Sequence, residues 1–218
     1  MKILGLDTAT YTSGIAVLDG DRVLAEARHD ASGQKSDLLV AIDLVCKRAG
    51  VAPGELDAVA VGAGPGSFTG LRIGMATAKG IAFAVGKPLW AVSSLAALAQ
   101  DAHAPGFVVA VLDARRGEVY AGCYADGVLV GDERVLAPGA VAPWASGLAG
   151  DRPIIYVGDA LATSITTPSG VAVAQLALAG PRTDVLTSGA PTYIRLAEAE
   201  VMYPDGVPGP KLTRRRDP

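Results

Sequence analysis

The residues with the most chemical potential in this chain lie in one stretch, Val61-Gly62-Ala63-Gly64-Pro65-Gly66-Ser67-Phe68-Thr69-Gly70-Leu71-Arg72-Ile73-Gly74. Glycines let a backbone come close to another group, and Ser67 or Thr69 can cap the helix that follows. A helix start with unpaired N–H groups attracts an anion, so Gly64, Gly66, Ser67 and Thr69 together could cradle a phosphate. The spacing excludes two common versions of such a loop. No Gly-Lys-Ser/Thr follows, so it is not a Walker A loop, and the glycines run GxGxxxG rather than GxGxxG. A tight strand-to-helix turn without a ligand is the plain alternative. Asp7, followed by Thr8 and Thr10, closes the first apolar run. Such an acid can orient a metal-bound water at a phosphate, or it can cap its own hairpin. Asp113, followed by Arg115 and Arg116, carries the same two readings.

The remaining reactive types are sparse. The only histidines, His29 and His103, stand 74 positions apart and form no ligand pair. Ser67 has no neighbouring histidine, which weakens a peptidase reading. Two cysteines, Cys46 and Cys123, cannot build a disulfide framework or a zinc ribbon and read as small buried hydrophobes.

The elements that must position these residues follow from the pattern. Residues 2–7, 13–19 and 22–28 read as a three-strand meander. A helix follows, with Ser36 as its cap and Leu38, Ile42, Val45 and Ala49 on one stripe. Residues 57–62 read as a buried strand, Leu71 to Val85 as a second helix, 89–92 as a strand, and Ser93 to about Ala102 as a third helix. The first half is therefore βββαβαβα. His103-Ala104-Pro105-Gly106 marks a boundary. After it come strands at 107–112, 118–124, 128–136 and 154–157, a helix over 138–148, and further helices near 171–179 and 193–202. The expected fold class is α/β, two-lobed, from duplicated βββαβαβα units as in actin, hexokinase and Hsp70. The expected domains are 1–102, a reduced 107–203, and a disordered tail at 204–218 holding Lys211, Arg214, Arg215 and Arg216. That tail either solubilises the chain or adds salt-sensitive contacts to nucleic acid.

Composition bounds the function. Of 218 residues half are apolar and 19% charged, which excludes general disorder. A net charge of −3 argues against a generic nucleic-acid coat. No apolar run approaches the length of a membrane span and no signal peptide is expected, so the chain reads as cytoplasmic.

GPGSFTGLRIG, the opening ILGLDTAT, the later LDARRGEVYAG and the closing Pro191-Thr192-Tyr193-Ile194-Arg195 together resemble the TsaB family. Lys35-Ser36-Asp37 departs from the His-Ser-Glu common there, and residues 160–189 match poorly. The resemblance implies a non-catalytic subunit of the tRNA threonylcarbamoyladenosine (t6A) machinery. It would dimerise with a TsaD-like transferase that modifies adenosine 37 of ANN-decoding tRNAs, with a TsaE-like ATPase joining them. It leaves homodimerisation of the isolated chain open. It also implies no required cofactor and at most weak ATP binding at a vestigial site of Asp7, Thr8, Gly64, Gly66, Ser67 and Thr69. The rival reading is a free-standing ATP-dependent enzyme of the sugar-kinase-like fold.

The expected partner surface lies on the first two long helices. Leu71, Met75, Ala78 and Ala82 form the second helix's stripe, while Ile73, Ile81 and Phe83 lie off it; Leu39 and Cys46 flank the first. A helix apolar on more than one face is covered on more than one face. Leu38, Leu39, Ile42, Leu71, Ile73, Met75, Ala78 and Ala82 are therefore the expected interface residues, and family members pair through these helices.

Overall fold

A computed structural model describes residues 1–30, 38–162 and 166–194. Strands β1 (Lys2–Asp7), β2 (Thr12–Asp19) and β3 (Arg22–Asp30) form the antiparallel meander, and β4 (Ala58–Gly62) and β5 (Leu89–Val92) add in parallel. The sheet order is β3-β2-β1-β4-β5. Helices α1 (Leu38–Ala49) and α2 (Phe68–Val85) cover one face, and their Leu38, Ile42, Met75 and Ala78 meet Leu4, Leu6, Ile15 and Val17. Burial of both faces is why KILGLD and AVAVG read as continuous apolar runs, whereas edge strand β3 alternates.

The second sheet repeats the plan. Strands β6 (Phe107–Arg115) and β7 (Glu118–Ala125) are an antiparallel hairpin, β8 (Val128–Leu129) and β9 (Arg134–Leu136) both pair with β7, and β10 (Ile154–Gly158) lies parallel to β6. Its order, β10-β6-β7-β8 with β9 also on β7, matches the first sheet without a counterpart of β5 beyond β10. Helix α4 (Pro138–Ala149) covers one face with Val141 and Ala145. This is the two-lobed actin/hexokinase/Hsp70-like α/β layout.

The last helix of each half packs on the other half's sheet. Helix α3 (Ser94–Gln100) places Leu95 and Leu98 against Val108, Ala110 and Leu112 of the second sheet. Helix α5 (Gly170–Ala179) places Ala172, Val173 and Ala174 against Ile3, Ala16 and Leu18 of the first. The α5 contact is close: a Cβ on Gly5 would lie 2.0 Å from the Gly170 carbonyl oxygen. Asp101, just past α3, ties the two helices by accepting from the Ser169 N–H (2.7 Å) and hydroxyl (2.6 Å) at the cap of α5.

Three boundaries differ from expectation. Helix α2 starts at Phe68, not Leu71, because Ser67 caps it, its Oγ accepting from the Gly70 N–H at 3.3 Å. The strand expected over 128–136 is split, since Gly131 takes a positive φ and Glu133 accepts hydrogen bonds from Ser93 and Tyr124. Tyr193 and Ile194 are not helical; the rest of that expected helix, the Ser36 cap, Lys35, Asp37 and the basic tail lie outside the described residues.

Candidate functional site

The glycine loop is held from below by β1. Asp7 is fully buried, and Oδ1 accepts from the Ala9 N–H at 2.8 Å while Oδ2 accepts from the Ser94 hydroxyl at 2.7 Å. Ser94 in turn accepts from the Gly64 N–H at 3.2 Å. A Cβ on Gly62 would lie 1.8 Å from Asp7 Oδ2, so only glycine fits there. Burial pushes the Asp7 carboxyl up to about 6, against the opposing effect of its two hydrogen bonds. The Thr8 hydroxyl donates to the Gly70 carbonyl at 2.8 Å, and Ser67 N–H donates to the Ala9 carbonyl at 2.7 Å. Asp7 and Thr8 thus spend their polar groups on fixing the loop.

Above the loop lies a cleft between the two sheets of about 190 Å³. It brings together Gly66, Ser67 and Thr69 from the expected phosphate set with Tyr11, Asp113, Arg115 and Asp159. Asp7, Thr8 and Gly64 do not line it. Their place behind the wall corrects the expectation that they face a ligand: the acid that a phosphate site would need is consumed by Ser94 and Ala9. Asp159 Oδ1 accepts from the Asp113 N–H at 2.8 Å, and Arg115 pairs with Asp113 at 2.8 Å. The Arg115 guanidinium also lies 4.8 Å from the Tyr11 ring centroid, joining the two hairpin tips across the cleft. Burial raises the Asp159 carboxyl, with the Asp113 charge adding to it. The cleft is narrower than the roughly 300 Å³ at which small-ligand sites begin. Tyr11 and Tyr120 carry no signal in the sequence, whereas Asp159 closes Val157-Gly158-Asp159, the one loop of the second half whose pattern suits a phosphate turn.

A wider, open groove of about 530 Å³ lies away from the loop, beside Arg28, Asp101 and His103. Two of its charged side chains are already engaged, Arg28 with Thr167 and Pro168 and Asp101 with Ser169.

A protein-bound metal ion does not fit this donor set. His29 lies on β3 and His103 beyond α3, and no group of three metal-binding side chains exists among the described residues. Ser67 Oγ caps α2. No described helix is long and apolar enough to cross a membrane.

The expected interface set divides. Leu38, Ile42, Leu71, Met75, Ala78 and Ala82 are buried in the chain's own core, which corrects their assignment to a partner surface. The stripe at helical spacing is the face that meets the sheet, as for any amphipathic helix. Leu39 (61% exposed) and Ile73 (45%) remain on the surface, and Phe83 (80%), Val40, Leu44 and Phe68 join them. The solvent side of α2 also carries Ala76, Gly80 and Ala84, so it is smooth as well as apolar.

The family model described as TsaD, tRNA N6-adenosine threonylcarbamoyltransferase, matches residues 31–195. The Bacillus subtilis tRNA threonylcarbamoyladenosine biosynthesis protein TsaB is 34% identical over 93% of this chain and 98% of its own. The TsaB protein of Escherichia coli is 36% identical over 55% of this chain and 53% of its own. A Pseudomonas aeruginosa crystal structure, described as an uncharacterized protein with similarity to peptidase YEAZ, superposes with a TM-score of 0.78. That structure is 32% identical and covers 89% of this chain and 99% of its own. With the glycine loop, the paired sheets and a full-length relative all in agreement, the chain belongs to the TsaB family, within the wider group that the TsaD model describes.

Proposed function

We propose that this chain is a non-catalytic subunit of t6A biosynthesis that docks onto a TsaD-like transferase and is required for modification of adenosine 37 in ANN-decoding tRNAs. The observation that carries this reading is the apolar outer side of α1 and α2, where Leu39, Val40, Leu44, Ile73 and Phe83 are all exposed. Large apolar side chains exposed on two helices that cover the same sheet face mark an interaction site. The names of the relatives supply the pathway, and the similarity of the TsaD model to this chain suits a pseudo-symmetric pair of like folds. The metal misfit and the narrow cleft favour a supporting role over transfer chemistry or a sugar-kinase-like reaction.

In this reading a TsaE-like ATPase and the tRNA are engaged through the complex. The test is reconstitution. The TsaD-like subunit of the same organism, its ATPase, tRNA and threonylcarbamoyl-adenylate should give modified tRNA only when this chain is added. Modification by the isolated chain, or full modification without it, overturns the reading.

A further inference from the structure

The closing motif Pro191-Thr192-Tyr193 plays no part in the cleft, yet the structure gives it a definite task. Thr192 N–H donates to the Ala63 carbonyl at 2.6 Å, which lays the segment along the glycine loop. The Tyr193 ring then rests against Phe68, with centroids 5.2 Å apart and planes tilted by 34°. The Arg72 guanidinium sits over the same Phe68 ring, 3.9 Å from its centroid, and its Nε donates to the Tyr193 hydroxyl at 3.0 Å. One face and one N–H of this exposed cation are therefore fixed. The two terminal amino groups, the fork that takes a carboxylate end-on, keep their donors for another molecule. Among the described residues no carboxylate lies within 4.0 Å of Arg72. Helix α2 carries Arg72 and Lys79 and no acid in its 18 residues.

An immobilised arginine stacked on an aromatic ring, beside an apolar patch, is the composition of an interface hot spot. We propose that Arg72 is the ionic anchor of the docking surface and receives a carboxylate of the TsaD-like partner. Tyr193 is the positioning residue that holds the guanidinium in place. The proposal rests on the partner reading above and adds the chemistry its partner must present: an acidic side chain bordering an apolar helix face.

The test uses the full chain and the TsaD-like subunit of the same organism, with affinity measured by calorimetry at low and high salt. Arg72→Ala is expected to weaken binding about tenfold or more and to flatten its salt dependence. Arg72→Glu is expected to weaken it further, and Arg72→Lys to restore part of the affinity. Tyr193→Phe keeps the ring and loses the hydroxyl, so it should cost a smaller factor, about threefold to tenfold. Ile73→Glu serves as the reference for the docking surface. If Ile73→Glu abolishes binding while the Arg72 variants bind normally, the anchor is refuted and the docking surface stands. If Ile73→Glu and Phe83→Glu also bind normally, the surface itself is refuted. If the Arg72 variants keep partner affinity but the complex loses its hold on tRNA, the guanidinium serves RNA and the proposal fails. Should Arg72→Glu not fold, Arg72→Gln decides, since it keeps the aliphatic stem and polarity without charge; unchanged affinity there overturns the anchor.

Discussion

The Ser94 hydroxyl donates to Asp7 Oδ2 at 2.7 Å across 87 positions of sequence, joining the end of β1 to the start of α3. The carboxyl so held has its pKa raised to about 6 by burial, from 3.8. A raised acid stabilises the fold in its protonated form. Its contribution is complete below pH 3.8 and fades as pH rises through 6, because the folded state then gives up a proton that it binds more tightly than the unfolded chain. A shift of that size is worth about 3 kcal/mol. Asp7→Asn should therefore remove a loss of stability that the parent protein shows between pH 4 and 7. Urea melts of both proteins at those two pH values would reveal it, and parallel pH profiles would sink the idea.

Two glycines on α2 should respond oppositely to alanine. A Cβ at Gly74 would lie 2.1 Å from the Thr8 hydroxyl oxygen, and that hydroxyl is bonded to Gly70. Overpacking of this kind costs about 1–3 kcal/mol, more than the helix propensity gained. At Gly80 a Cβ meets nothing within 4 Å, so Gly80→Ala should add about 0.5–1 kcal/mol. Denaturation midpoints for the two variants should move in opposite directions; a shift of the same sign in both would contradict the packing described.

The division of the apolar helix residues can be read as stability. Leu71 is buried between α2 and the second sheet's core, so Leu71→Ala should cost about 2–5 kcal/mol. Phe83 is exposed, and Phe83→Ser should stay within about 0.5 kcal/mol. Met75→Glu should fail to fold, because it forces an unpaired charge into the α2–sheet core, whereas Phe83→Glu should melt normally. Circular dichroism melts separate these outcomes.

Nucleotide should bind poorly. The cleft is about 190 Å³, and Asp113 and Asp159 place carboxylates where a polyphosphate would enter. Calorimetry with ATP and magnesium should show no saturation in the micromolar range. A sub-micromolar dissociation constant would restore the kinase-like alternative.

The strands and the glycine loop were legible because their signals are local. KILGLD, AVAVG and the Ser67 cap depend on neighbours within a few positions. Of the two tasks the sequence leaves open for Asp7, the local hairpin cap is the one seen, through the Ala9 N–H, whereas its second partner Ser94 becomes a neighbour only through the fold. The helix stripes were seen, yet periodicity does not say whether a stripe faces the chain's own sheet or another protein. Burial of Met75 and Ala82 beside exposure of Ile73 and Phe83 supplies that answer. The pairing of Asp159 with Asp113, and of Tyr193 with Arg72, joins residues 46 and 121 positions apart, which no pattern in the sequence announces.

The exchange of α3 and α5 between the halves sets the order in which the chain can mature on the ribosome. The first sheet is complete once Val92 has emerged, but the helix that covers its second face ends at Ala179. At ~5–20 residues per second, the roughly ninety residues between them take on the order of ten seconds to synthesise. Throughout that interval Ile3, Ala16, Leu18 and Ala60 have no cover from α5. The nascent chain thus carries an uncovered apolar sheet face over a defined window, and neither half, released alone from its gene, would carry the helix that seals it.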